Sequence, residues 1–81
     1  MIKYKLVKVF EWNTVDLITW GLQLTEDFQG LPAGHVIEFD TNKNVKTPQE
    51  AFRATFGYNQ KYINQILESL AIRDRERLKN A

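Results

Sequence analysis

The chain has no cysteine, a single histidine and a single serine among its 81 residues. Without cysteine there is no disulfide, no thiolate nucleophile and no zinc site of the sulfur type, so a stapled extracellular mini-fold is excluded and a cytoplasmic setting is expected. A Ser–His–acid arrangement would have to join Ser69, in a helical stretch with no oxyanion-hole glycines beside it, to His35, which suits a strand edge better. Long apolar runs are also missing. No segment approaches the ~20 apolar residues of a membrane-spanning helix. The opening MIKYKLVKVF carries lysines where a secretory signal needs an apolar centre. There is no phosphate-binding loop, no dinucleotide fingerprint and no metal-ligand spacing. Asp40-x-Asn42-x-Asn44 imitates the start of a calcium loop, but Val45 stands where the loop needs glycine and Ala51 where it needs a bidentate glutamate. The acid pairs Glu26-Asp27 and Asp74/Glu76 lack convergent partners and read as solvated surface. These absences point to a non-enzymatic protein with no metal, no cofactor and no small-molecule substrate.

Charge of either sign is nearly balanced, at a net +1, but it is unevenly placed. Residues 1–12 carry a net +2, residues 13–40 a net −5 with no Lys or Arg, residues 41–65 a net +3 and residues 66–81 a net +1. An acidic middle followed by a basic helical region can steer one face toward phosphates, and equally toward a partner with complementary patches.

The length allows one domain, residues 1–81, with a sheet part over 1–46 and a helical part over 47–81. Lys3 to Trp12 reads as a strand with Tyr4, Leu6, Phe10 and Trp12 on one face, interrupted by Lys8, and Val7 and Val9 on the other. Lys3, Lys5 and Lys8 suit a guarded edge. Asn13 and Thr14 fit a turn. Ile18 to Thr25 alternates strictly, apolar at even positions and small or polar at odd ones, which predicts a strand with one buried face. Gly21 inside it marks a bulge or a close approach. Glu26 to Gly34 is a connection punctuated by Gly30, Pro32 and Gly34, and His35 to Asp40 is a short third strand. The fold class is therefore α+β: a small three-stranded antiparallel sheet (ββ–β) followed by two C-terminal helices packed on one face. The predicted core is Trp20, Leu22, Leu24, Phe39, Phe52, Phe56, Ile63, Ile66 and Leu70.

The sharpest stretch runs from Thr47 to Leu70, TPQEAFRATFGYNQKYINQILESL. Thr47 caps, Pro48 occupies the first helical position, where a missing N–H costs nothing, and Glu50 completes a capping box. Gly57 ends a first helix over about Pro48–Phe56. Asn59 caps a second, whose apolar stripe is Ile63, Ile66, Leu67, Leu70 and Ala71 and whose tail through Arg73–Ala81 alternates charge. Phe52 and Phe56 before Gly57, with Ile63 and Ile66 after it, resemble the helix-turn-helix superfamily of DNA-binding domains over residues 49–70. The chain departs from that family at Arg53, where a small residue usually stands. The resemblance implies a regulatory DNA-binding protein, paired as a homodimer on duplex DNA. It implies Asn59, Gln60, Lys61, Asn64 and Gln65 as base readers and Lys43, Lys46, Arg53 and Tyr58 as phosphate contacts.

A second class fits the acidic middle. A small protein-binding module or inhibitor would dock on a larger protein through an edge strand or the 26–40 region, with Glu26, Asp27, Glu38, Asp40 and Trp12 at the interface. An acidic surface of this kind can also block a nucleic-acid-binding protein by mimicry. Trp12, Trp20 and Tyr4 beside Lys3 and Lys5 further suggest a stacking platform for single-stranded nucleic acid.

Overall fold

A computed structural model describes residues 2–80 of the chain. Strands β1 (Tyr4–Glu11), β2 (Ile18–Leu24) and β3 (Val36–Thr41) form one antiparallel sheet in the order β1-β2-β3, and helices α1 (Pro48–Phe56) and α2 (Gln60–Lys79) follow. This is the expected α+β architecture. Both helix caps form as read, although the Glu50 carboxylate accepts from the Thr47 hydroxyl at 3.3 Å rather than from the Thr47 N–H of a full capping box. The Thr47 hydroxyl accepts the Glu50 N–H at 3.2 Å, and the Asn59 side chain accepts the Lys61 N–H at 3.0 Å. Gly57 takes φ 79° and its N–H donates to the Arg53 carbonyl at 2.9 Å, a left-handed stop that a side chain would disfavour. The charged tail continues α2 through Lys79. Ala81, included in that expectation, lies outside the described residues.

The helices cover the sheet face that carries Trp20, Leu22, Leu24, Ile37 and Phe39. Phe52 stacks on Tyr4 at 5.8 Å between centroids, and Phe56 meets Phe39 edge to face at 5.2 Å. Burial pushes the Tyr4 phenol up, partly offset by the Arg53 charge. Trp20, deepest of the aromatics, still places its indole N–H on the Thr41 hydroxyl at 2.7 Å. Leu31 reaches the core from the β2–β3 connection, which closes on itself through reciprocal Phe28 and Leu31 backbone bonds. Asp74 on α2 is also buried, held by His35 Nε2 at 2.8 Å and by Arg73 at 3.0 Å. That contact ties α2 to the residue preceding β3.

Three expectations are corrected. Ile66 is exposed and Leu70 only partly buried, whereas Leu67 and Ala71 are fully inside. The β2–β3 connection grips the Leu67 side of α2, with Arg75 donating to the Gln29 carbonyl at 2.8 Å, so the buried stripe is rotated toward that side. β2 is largely buried on both faces rather than one, with Thr19 and Gly21 buried alongside the apolar positions and Gln23 half-buried. Finally, β1 does not keep Phe10 and Trp12 on the face of Tyr4 and Leu6. Lys8 pairs with Trp20 but Phe10 pairs with Thr19, so Val9 is an extra residue in a β-bulge, and everything after it is turned to the opposite side.

The second face of β2 is closed by neighbours rather than helices. A Cβ on Gly21 would lie 2.4 Å from Val36 Cγ1, 3.0 Å from Val9 Cγ2 and 3.3 Å from Val7 Cγ2, so three valines meet over a position that must have no side chain. Gly21→Ala is expected to cost about 1–3 kcal/mol through overpacking, despite the better strand propensity of alanine. Urea unfolding measures this, and adding Val36→Ala should recover much of the loss. Wild-type stability in the single variant would contradict the packing described here.

Candidate functional site

Two surfaces carry the residues singled out from the sequence. The first is the α1–α2 pair. Arg53 points outward: its guanidinium lies 5.3 Å from the Phe52 ring centroid and 5.0 Å from that of Tyr58, and it donates to the Gly57 carbonyl at 3.1 Å. Ala51, fully buried, faces the core in its place. The five candidate base readers are all exposed but are differently engaged. Asn59 is used as the cap, Gln60 donates to Asn64 Oδ1 at 2.8 Å, and Asn64 also borders a groove with Ile2, Phe28 and Leu67. Lys61 and Gln65 have no side-chain hydrogen-bond partner among the described residues. They share an outward stripe of α2 with Glu68 and Ile72. Lys43 and Lys46 lie at the far, N-terminal end of α1 from Tyr58. There their charges, with a direct 2.6 Å bond from Lys8, hold the Glu11 carboxyl below the usual carboxylate range; the Lys8 bond is the largest cause.

The second surface is the sheet face that no helix covers. By register it presents Lys5, Gln23 and Val36 at one level, Val7, Gly21 and Glu38 at the next, and Phe10, Thr19 and Asp40 at the third. Beyond β1, Trp12 folds back over this face. Its indole N–H donates to Thr19 Oγ1 at 3.0 Å, and the Thr19 hydroxyl donates on to Asp40 Oδ1 at 2.7 Å. Phe10 and Trp12 meet edge to face at 4.9 Å. The indole is thus held by a neighbouring ring and a hydrogen bond, yet Trp12 is 43%, Phe10 50% and Val9 41% exposed. Large apolar groups pinned in water and rimmed by charge are what an association surface presents.

Of the residues assigned to a protein interface, Trp12, Glu38 and Asp40 come together on this face, whereas Glu26 and Asp27 sit in the β2–β3 connection at the opposite end of the sheet. The stacking platform does not assemble, since Trp20 is in the core and Tyr4 packs on Phe52. The sequence reading missed Val7, Val9, Phe10 and Val36 as parts of one surface. The available signal was Lys8, whose charge breaks the apolar alternation of β1 just before the bulge. Among the described residues no group of acids and histidine gathers as a metal site, and no helix is long and apolar enough to cross a membrane. Comparison with protein-family models, with curated proteins and with solved structures finds no match.

The two tryptophans report the bulge directly. Trp12→Phe is expected to leave a blue-shifted emission from Trp20, 1% exposed, that acrylamide barely quenches, whereas the wild type retains a readily quenched component. Steep quenching of the Trp12→Phe variant would contradict the placement of the two indoles.

Proposed function

We propose that this chain is a non-enzymatic protein-interaction module that docks through the uncovered face of its sheet. The observation carrying this reading is the bulge at Val9, which turns Phe10 and Trp12 away from the helix-covered face and onto a surface where they meet water. Trp12 shields Thr19 and Phe10 packs on Trp12, yet much of both rings stays in water, and bulges are commonly placed to re-aim side chains at functional positions. Burial of the pair against a partner removes that remaining exposed surface, with Trp12 as the anchor because its N–H is already satisfied within the chain. Glu38 and Asp40 on one margin and Lys5 on another would set orientation.

A second reading, a helix-turn-helix-like regulatory protein on duplex DNA, draws support from Tyr58, Lys61 and Gln65 standing clear of the body at the start of α2. It ranks lower because Gln60 and Asn64 are bonded to each other and Glu68 shares the outward stripe that would face phosphates. The two readings part on paired variants. Immobilised wild type and Lys61→Ala/Gln65→Ala should retain the same protein partners, while Phe10→Ser/Trp12→Ser should lose them. Random duplex DNA should bind weakly to all three and with a shallow salt dependence. Strong, steeply salt-dependent DNA binding that falls in the Lys61→Ala/Gln65→Ala variant would reverse the order of the readings.

A further inference from the structure

The uncovered sheet face is divided along a diagonal. Phe10 and Trp12 stand at the far end of β1, Val9 and Val7 close over Gly21 in the middle, and Val36 completes the line at the near end of β3. Off this apolar line lie two corners of opposite charge. One holds Lys3 and Lys5, from the near end of β1; the other holds Glu38 and Asp40, from the far half of β3. All four are exposed, and within the described residues none of the four is in a salt bridge. Among the described residues Asp40 accepts from Thr19 alone, while Glu38 also borders an edge groove with Arg73 and Arg77.

A twofold axis lying in this face along the apolar diagonal maps the diagonal onto itself and exchanges the two corners. Aromatic then meets aromatic, valine meets valine, and each lysine corner falls on the partner's carboxylates. The strands of the two sheets would cross steeply, as in orthogonal sheet packing. A surface that complements itself under a twofold operation is the condition for an isologous dimer. We infer that the occupant of the face is a second copy of this chain, a deepening that rests on the docking reading above.

The face is small. Three strands about 4.8 Å apart and about seven residues long, at about 3.3 Å per residue, present roughly 300 Å² in plan. That is well below the ~800 Å² per partner of a standard interface, so the dimer is a weak, reversible one.

Sedimentation equilibrium from about 10 µM to about 1 mM covers the concentrations at which weak pairing shows. The expected result is a mass rising reversibly from the chain's 9.5 kDa toward twice that value. Phe10→Ser should hold the mass at the monomer value with an unchanged far-ultraviolet spectrum. The decisive variants reverse the corners. Lys3→Glu/Lys5→Glu gives a chain acidic at both corners, and Glu38→Lys/Asp40→Lys one basic at both, so neither should pair with itself. Mixed in equal amounts, the two should form a one-to-one dimer. A monomeric wild type throughout the range overturns the second-copy inference, as does a dimer indifferent to Phe10 and the four charges. The docking reading fails separately, if Phe10→Ser/Trp12→Ser retains every protein partner that the wild type retains.

Discussion

The constraint on which the rest of the molecule depends is that β2 must be dry on both faces while helices cover only one. On the helix side the problem is solved by volume: Trp20, Leu22 and Leu24 meet Phe39, Phe52, Ile63 and Leu67, a core with well over a dozen apolar members. On the other side it is solved by removing volume. Gly21 has no side chain, so the valines of both neighbouring strands close over the backbone, and Trp12 lies across Thr19. The helix layer, the valine lid and the indole are three answers to one requirement. The third of them leaves aromatic surface in water.

Much of the fold was legible because its signals are local. Thr47-Pro48 and Glu50 define a helix start through chemistry within one turn, Gly57 defines its stop, and the alternation of Ile18–Leu24 defines a strand. What escaped was set by distant partners. Nothing near Leu31 says that a connection will fold back to deliver it to the core. The burial of Asp74 follows from His35, far away in sequence. Ile66 and Leu67 are equally apolar in sequence, and only the docking of the β2–β3 connection on one flank of α2 decides that Leu67 is the buried one.

The candidate surfaces divide in the same way. The α1–α2 pair was visible as a pattern of caps, glycine and stripe, and its polar residues were visible as exposed. Their engagement was not, because the Gln60–Asn64 bond and the use of Asn59 as a cap depend on rotamers that the sequence leaves open. The sheet face was misread by one residue. Period-two reasoning assumes an unbroken register, and a single extra residue at Val9 reverses every side chain that follows it. Phe10 and Trp12, expected on the same face of β1 as Tyr4 and Leu6, are instead prominent apolar groups on the opposite face. The feature that sequence periodicity handles worst is here the one that creates the proposed site.

The most direct test of that site is a pair of ¹⁵N-correlation spectra of the wild type, one dilute and one concentrated. The signals of Val7, Phe10, Gly21, Val36, Asp40 and the Trp12 indole N–H should shift together with concentration, while those of Lys61 and Gln65 on α2 stay fixed. A spectrum unchanged by concentration, or shifts gathered on α2 instead of the sheet, would contradict pairing of two copies through this face.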